Sequence, residues 1–301
     1  MIARILILAA ALCIGIGPIA LVPTAQARTD IHSERSLYRN IVVYEEDGVR
    51  CMIFNKRSRS NARQTCMKLA APDELVFNFT KMMMASLYLD PNPKDILIVG
   101  FGGGTLAHSL LKILPEARID AVEVDRAVIA VADKFFNVRP SERLAIFEAD
   151  GRTFVKRQVG KKTYDLVMLD AFDEDYIPEH MLTREFLAEL KQVMNPNAVL
   201  AANTFTTSAL YDHESATYHA AFGDFYNLKT NNRIILTRLG GPPPMSEIEK
   251  NAAAFDAAFK PLGVERNWLL PMFSTKIDWK RDARILTDQY SPSNLLNSRS
   301  R

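Results

Sequence analysis

The sequence has few of the residues that build metal sites. Its 301 residues include three cysteines and five histidines, with no Cys-x-x-Cys pair and no histidines at the spacing of metal ligands. A structural zinc site normally takes four such ligands at short, regular spacings. We therefore predict that the protein binds no metal and that each histidine is an ordinary surface or packing residue.

An excess of either charge is missing as well. The 37 lysines and arginines nearly balance the 35 aspartates and glutamates, giving a formal net charge of +2. Because nucleic-acid-binding domains usually carry a marked excess of cations, we expect no nucleic-acid partner. Repeats and low-complexity tracts are also lacking, and 48% of the residues are hydrophobic. This composition predicts a globular protein with a sizeable core.

Long hydrophobic runs are confined to the N terminus. There, Arg4 precedes an apolar run over residues 5–22, and Ala25-Gln26-Ala27 gives the small-x-small pattern that signal peptidase cleaves. We predict that residues 1–27 are a signal peptide and that the mature protein is exported, periplasmic or secreted, without further membrane contact. The alternative is an uncleaved membrane anchor, because the run is nearly long enough to span a bilayer.

Cleavage would leave two cysteines in the mature chain, Cys51 and Cys66, on two strand-like runs. Opposite positions in an antiparallel strand pair lie about 4.5–5.5 Å apart at Cα, within the range of a disulfide. An exported protein also meets an oxidising compartment. A Cys51–Cys66 disulfide is therefore one hypothesis, and two free, buried cysteines are the alternative.

Residues 28–90 predict a small N-terminal β-domain with a linking helix. The sequence from Asn40 to Leu69 is strand-like, and Glu46-Asp47-Gly48 is typical of a hairpin turn. A helix is expected from Asp73 to about Leu89, where apolar residues recur at helical spacing.

Residues 91–301 predict a Rossmann-like, nucleoside-binding catalytic domain. Short apolar runs such as DILIVGF and YDLVMLD alternate with helical patterns, as in a parallel sheet that is covered by helices on both faces. Towards the C terminus, the patterns predict a helix at 208–222, strands at 226–229 and 233–239, and a helix at 246–259.

Three features follow successive predicted strands at the edge where open α/β sheets bind ligands. The first is the glycine-rich turn of Gly100, Gly102, Gly103 and Gly104. Glu123 comes about 20 residues later, where nucleotide-binding folds place the acid that binds ribose hydroxyls. Asp150-Gly151 follows the next strand, where a short acid can accept a hydrogen bond from an adenine amino group. Together they predict a nucleoside-bearing ligand.

The glycine turn also indicates which kind of nucleoside-bearing ligand the protein binds. Thr105 occupies the last glycine position of the pyrophosphate-binding fingerprint. S-adenosylmethionine and its relatives carry no phosphate and therefore fit the turn better than a dinucleotide. Methyl transfer and aminopropyl transfer both remain open at this point.

The segment YDLVMLDAFDEDYIP ends an apolar strand in four carboxylates, Asp170, Asp173, Glu174 and Asp175. A cationic amine must be bound and deprotonated before its lone pair can attack a sulfonium-activated carbon. We predict that Asp170, at the strand end, is the base and that Asp173 binds the substrate ammonium. An acidic surface turn without a role is the competing interpretation.

This order of motifs resembles the polyamine aminopropyltransferases, the spermidine synthase family, and in particular its spermidine synthase-like branch. The resemblance covers about residues 34–295. It implies a Rossmann-like sheet of the S-adenosylmethionine-dependent methyltransferase type with a small N-terminal β-domain. It also implies that Glu123 binds ribose, that Asp150 binds adenine, and that Tyr38 and Gln64 contact the substrate. A homodimer is the candidate assembly, and the sequence leaves the oligomeric state open.

The implied activity is the transfer of an aminopropyl group from decarboxylated S-adenosylmethionine to an amine such as putrescine. Two alternatives stand beside it: an S-adenosylmethionine-dependent methyltransferase, and an exported nucleoside- or polyamine-binding protein without catalysis. The sequence departs from the family pattern in the loop GFGGG, which is one residue shorter than G-G-G-D-G-G and lacks its acid. It also reads Phe77-Asn78-Phe79 where the family usually has Tyr-His-Glu.

Overall fold

The computed structural model describes residues 27–54, 63–172 and 176–292. The predicted signal peptide lies outside this range, except for Ala27. The strands are β1 (Thr29–Arg35), β2 (Asn40–Glu46), β3 (Val49–Phe54), β4 (Arg63–Lys68), β5 (Asp95–Val99), β6 (Arg118–Glu123), β7 (Leu144–Glu148), β8 (Tyr164–Leu169), β9 (Met194–Phe205), β10 (Tyr226–Lys229) and β11 (Asn232–Arg238). The α-helices are α1 (Asn78–Met84), α2 (Thr105–Ile113), α3 (Arg126–Phe136), α4 (Gly151–Gln158), α5 (Arg184–Lys191), α6 (Tyr211–Phe222), α7 (Met245–Phe259) and α8 (Arg266–Leu269).

The small N-terminal sheet is an antiparallel meander with the order β1-β2-β3-β4. Its β2–β3 hairpin turns at Asp47 and Gly48, which both have positive φ angles, as a type I′ turn requires. The predicted hairpin is thus confirmed. Strand β1 was not predicted, because its sequence TDIHSER is largely exposed and shows no apolar alternation.

Cys51 on β3 lies directly opposite Cys66 on β4, and the two form a disulfide. Their Cα atoms are 4.1 Å apart, and both side chains are almost fully buried. The disulfide hypothesis is therefore confirmed. In the chain-entropy account, closing a loop of this length stabilises the folded protein by about 3 kcal/mol.

The linking helix is shorter than predicted. Helix α1 begins at Asn78, and a 3₁₀ turn over Ala85–Tyr88 continues it. The preceding residues are not helical because Leu75 pairs elsewhere: its N–H donates to the carbonyl of Leu262 at 3.0 Å, and it forms a bridge with Met67. Tertiary pairing here overrides the helical spacing of the apolar residues.

The larger sheet has the strand order β10-β11-β9-β8-β5-β6-β7. Strands β5 to β9 pair in parallel, as predicted, whereas β11 is antiparallel to both β9 and β10. The sheet is therefore mixed rather than fully parallel. Only residues 230 and 231 connect β10 to β11, and a parallel pair would need a crossover of a dozen or more residues.

Helices cover both faces of this sheet. Residues of α1, α2 and α7 form one core with Ile96 and Ile98 of β5, and residues of α4, α5 and α6 form a second core with Leu97 and Val99. A third cluster joins the small sheet to α3 through residues including Ile41. Within the described ranges, no helix is both long and apolar enough to cross a membrane.

Candidate active site

The carboxyl ends of the parallel strands border a cavity of about 720 Å³, a size typical of small-molecule sites. Strand order reverses between β5 and β8, and such a switch point is where open α/β sheets bind ligands. The small sheet and its adjoining loop supply Tyr38, Gln64 and Thr65 to the cavity wall. Both domains therefore build the site.

Most of the predicted site residues meet in this cavity. Those that line it are Tyr38, Gln64, Gly100, Gly102, Glu123, Asp150, Gly151 and Asp170. Gly103 and Gly104 are not among the lining residues. Asp173, Glu174 and Asp175 lie outside the described residues, so the amine-binding role of Asp173 stays a prediction.

The glycine loop approaches its neighbours too closely to carry side chains. Gly100 has a φ of +95°, and a Cβ there would lie 2.3 Å from the carbonyl oxygen of Asp170. Gly104 precedes α2 in the left-handed region, and a Cβ there would lie 2.6 Å from Val138. The close approach at Gly100 brings the end of β5 against the end of β8, beside the predicted base.

Glu123 ends β6 with a buried carboxylate that faces the cavity. Its Oε2 accepts a hydrogen bond from the N–H of Gly102, and its Oε1 accepts one from the N–H of Asp125, both at 3.1 Å. Burial raises its pKa, against the effect of these two bonds and of Arg39. A carboxylate can accept about four hydrogen bonds, so Glu123 keeps the capacity to accept two ribose hydroxyls.

Asp150 follows β7 and caps the N terminus of α4. Its Oδ1 accepts a hydrogen bond from the N–H of Thr153, and its Oδ2 lies 2.8 Å from Nε2 of His180. Burial acts to raise the pKa of Asp150, but the bonds from Thr153 and His180 outweigh it, and the pKa is lowered. His180 also lines the cavity. His180 therefore borders the candidate site, a position that its sequence context did not indicate.

Asp170 follows β8 directly and lies in the cavity wall beside Gly100. Its N–H donates to the carbonyl of Val99, and its Oδ1 accepts a hydrogen bond from Nδ2 of Asn203 at 2.8 Å. Desolvation raises the pKa of Asp170 to about 7, although the bond from Asn203 acts to lower it. A carboxyl group with this pKa can take up a proton and release it again near neutral pH.

Two asparagines behind Asp170 were not predicted as site residues. Asn203 on β9 donates to Asp170, and its own Oδ1 accepts a hydrogen bond from Nδ2 of Asn232 on β11 at 3.0 Å. Both asparagines line the cavity. The only sequence signal for Asn203 is a polar residue inside the apolar strand AVLAANTF.

Two pairs of phenylalanines line the cavity with aromatic rings. The rings of Phe77 and Phe79 stack with centroids 5.4 Å apart, and those of Phe172 and Phe205 are tilted with centroids 5.2 Å apart. Aromatic faces attract ammonium groups, and the ring surfaces pack against methylene chains. These rings suit an alkylamine. Among the described residues, no cluster of histidine, cysteine, aspartate and glutamate could hold a metal ion.

Taken together, the fold and the cavity define a class: a transferase with the Rossmann-like sheet of the methyltransferases, whose donor carries a nucleoside. The spermine/spermidine synthase domain matches residues 76–236. Over 298 residues, the chain is 40% identical to a polyamine aminopropyltransferase of Vibrio vulnificus, covering 97% of this chain and 98% of that protein. The chain therefore belongs to the spermine/spermidine synthase family, as the sequence resemblance predicted.

Solved structures show the same architecture. A probable spermidine synthase from Corynebacterium glutamicum superposes with a TM-score of 0.66 at 17% identity, covering 85% of this chain and 96% of that one. Human methyltransferase-like protein 13, solved in complex with SAH, superposes with a TM-score of 0.57 at 25% identity, covering 65% of this chain and 98% of that one. The predicted fold class is confirmed.

Proposed function

We propose that this protein is a spermidine synthase-like aminopropyltransferase of polyamine biosynthesis. It transfers the aminopropyl group of decarboxylated S-adenosylmethionine to an amine such as putrescine. The observation that carries the proposal is the position of Asp170, a desolvated carboxyl group in the same cavity as the nucleoside-binding acids. The 40% identity to a polyamine aminopropyltransferase over nearly the whole chain supports the same reaction.

The donor would be held by its adenosine half. Glu123 accepts the two ribose hydroxyls, and the Asp150 carboxylate accepts a hydrogen bond from the adenine amino group. Gly100 and Gly102 line the cavity and allow the donor to lie against the backbone. The proposed reaction then requires the sulfonium group to lie on the Asp170 side of the cavity that these residues share.

The acceptor would enter as an ammonium ion. Asp170 takes its proton, and the freed nitrogen lone pair attacks the methylene carbon of the aminopropyl group that is bonded to the sulfonium sulfur. A carbon–nitrogen bond forms, the carbon–sulfur bond breaks, and the electron pair of that bond stays on sulfur, which leaves as neutral methylthioadenosine. The Phe77–Phe79 pair packs against the alkyl chain of the amine, and Tyr38, Gln64 and Asp173 bind its polar ends.

Export is a second part of the proposal. The mature protein would begin at Arg28, after cleavage behind Ala25-Gln26-Ala27. The Cys51–Cys66 disulfide supports an oxidising compartment, because disulfides are rare in the cytosol. N-terminal sequencing of protein from separated cell fractions tests this, and soluble cytoplasmic protein that still begins at Met1 would contradict it.

The reaction is tested on purified mature protein with putrescine and either decarboxylated or ordinary S-adenosylmethionine, with products identified by mass spectrometry. We expect spermidine and methylthioadenosine with the decarboxylated donor and neither product with ordinary S-adenosylmethionine. A methylated amine from the ordinary donor would identify a methyltransferase instead. Tight binding of a nucleoside without any product would identify a binding protein. The Asp170→Asn variant serves as the catalytic control in each arm.

A further inference from the structure

The glycine loop contacts the N-terminal domain at the buried side chain of Thr65. The N–H of Gly103 donates a hydrogen bond of 2.9 Å to the hydroxyl oxygen of Thr65 on β4. Thr65 is only 5% exposed, and it also lines the cavity. A Cβ at Gly103 would lie 2.2 Å from the methyl carbon of Thr65, so the strand and the loop are in direct van der Waals contact.

Two consecutive amides of this loop are therefore bound by side chains from two different elements, β6 and β4. The N–H of Gly102 bonds to Glu123, at the end of β6, and the N–H of Gly103 bonds to Thr65, in the other domain. The direction of the loop at these two residues follows from both bonds. The carboxylate of Glu123 is in turn oriented by the loop that Thr65 holds.

Thr65 lies in a cross-linked part of the small sheet. The next residue, Cys66, is joined to Cys51 by the disulfide, which closes β4 onto β3. Thr65 pairs with Met52, whose side chain is fully buried. The pairing of β3 and β4 then shifts register before Arg63, so Gln64 sits in an irregularity of the strand at the cavity wall.

We propose that Thr65 is a positioning residue for the donor. From the N-terminal domain, its hydroxyl holds the glycine loop in the shape that binds the nucleoside. Thr65 acts through Gly103 and Glu123 rather than on the reacting atoms. The inference rests on the proposed function, because it assigns Thr65 to the donor half of that site.

The expected effect on donor binding comes from the free-energy cost of leaving the Gly103 N–H without a hydrogen-bond acceptor. When a buried N–H loses its acceptor, the loop either keeps its shape with an unpaired polar group or moves to find a new partner. Either change lowers the population of the binding-competent loop, and the apparent affinity falls with that population. A penalty of the usual size for an unpaired buried group corresponds to roughly a 5- to 150-fold loss of affinity.

A matched pair of variants isolates the hydroxyl. Thr65→Ser and Thr65→Ala both lose the methyl group, and they differ only in the hydroxyl. Calorimetric titration of the full mature protein with methylthioadenosine should show near-wild-type affinity for Thr65→Ser and at least about 5-fold weaker binding for Thr65→Ala. In kinetics, the KM for the donor should rise in Thr65→Ala, with kcat at saturating donor little changed.

Thermal melting without ligand separates this role from a structural one. If Thr65 has only a structural role, Thr65→Ala will melt at a lower temperature than wild type, but the protein that stays folded will bind methylthioadenosine as wild type does. That result would overturn the proposal, as would equal losses of affinity in Thr65→Ser and Thr65→Ala. Wild-type protein that binds no methylthioadenosine would overturn both this inference and the proposed function, whereas unchanged binding by Thr65→Ala would overturn this inference alone.

Discussion

Asp150 and Asp170 both follow parallel strands, Asp150 after the edge strand β7 and Asp170 after the internal strand β8, and they lie in contrasting environments. Each follows a parallel strand at the carboxyl edge, and both line the same cavity. Hydrogen bonds from Thr153 and His180 lower the pKa of Asp150. Desolvation raises the pKa of Asp170 to about 7. The strand end thus brings a carboxylate to the site, whereas its surroundings decide whether it binds a ligand or exchanges a proton.

The difference begins in the backbone that follows each aspartate. Helix α4 starts directly after Asp150, so the N–H of Thr153 in its first turn donates to the carboxylate, and the helix dipole favours its charge. No helix starts directly after Asp170, where the chain continues in irregular backbone through Phe172. The side chain of Asp170 instead accepts a hydrogen bond from the neutral side-chain amide of Asn203.

The largest expected effect separates the two aspartates by kinetics. Asp170→Asn keeps the shape of the side chain but removes the base, so turnover should fall by roughly 10²- to 10⁴-fold while methylthioadenosine still binds. Asp150→Asn should weaken donor binding and leave turnover at saturating donor nearly unchanged. Steady-state kinetics and calorimetry on both variants check this. Equal losses of turnover in the two would break the comparison.

Glu123 provides a third carboxylate, whose predicted role is binding alone. Glu123→Gln should weaken methylthioadenosine binding by about 1.5–3 kcal/mol, the usual value of hydrogen bonds to a charged group. Calorimetric titration measures this loss, and thermal melting serves as the control. If melting shifts while the affinity of the folded protein stays at the wild-type value, Glu123 has a structural role instead.

Removing the hydrogen bond that Asn203 donates to Asp170 should widen the difference in pKa between Asp170 and Asp150. Asn203→Ala deletes a hydrogen bond to the charged form, so the pKa of Asp170 should rise further, by roughly 1–2 units. The acid limb of the kcat/KM–pH profile, which reports the pKa of the free enzyme, should move to higher pH by the same amount. Asn232→Ala removes only the bond to Asn203, and its shift should be smaller. An unmoved acid limb in Asn203→Ala would contradict this account.

Stability should depend on pH with opposite signs at the two aspartates. Because the folded pKa of Asp170 lies above its unfolded value, its contribution to stability is lost as pH rises from about 4 to about 7. The folded pKa of Asp150 is lowered, so its contribution is lost as pH falls below about 4. Between about pH 5 and pH 8, the melting temperature of Asp170→Asn should therefore rise relative to that of wild type, by a few degrees. Asp150→Asn should show no gain over that interval.

The sequence predicts the parts of the site that the sheet itself brings together. Glu123, Asp150 and Asp170 each follow an apolar run, and the carboxyl ends of parallel strands meet at one edge. The glycine turn is visible for the same reason. These residues could be found because local patterns place the strands, and parallel pairing then places their ends.

The remaining site residues depend on contacts that no local pattern encodes. Asn232 reaches Asn203 only because β11 pairs antiparallel with β9, and the sequence predicted a parallel sheet. Thr65 meets the glycine loop through the packing of the two domains, and His180 reaches Asp150 across 30 residues of chain. Single polar residues of this kind carry no periodicity, so their roles follow from tertiary structure alone.

The most direct test of the account is the protonation state of Asp170 itself. Infrared difference spectroscopy between about pH 5 and pH 9 can follow the carboxyl band that wild type has and Asp170→Asn lacks. We expect a protonated carboxyl at the acid end that ionises with a midpoint of about 7, and we expect Asp150→Asn to retain this band. An Asp170 that stays ionised over the whole range, with the same spectrum in wild type and Asp170→Asn, would contradict its assignment as the base.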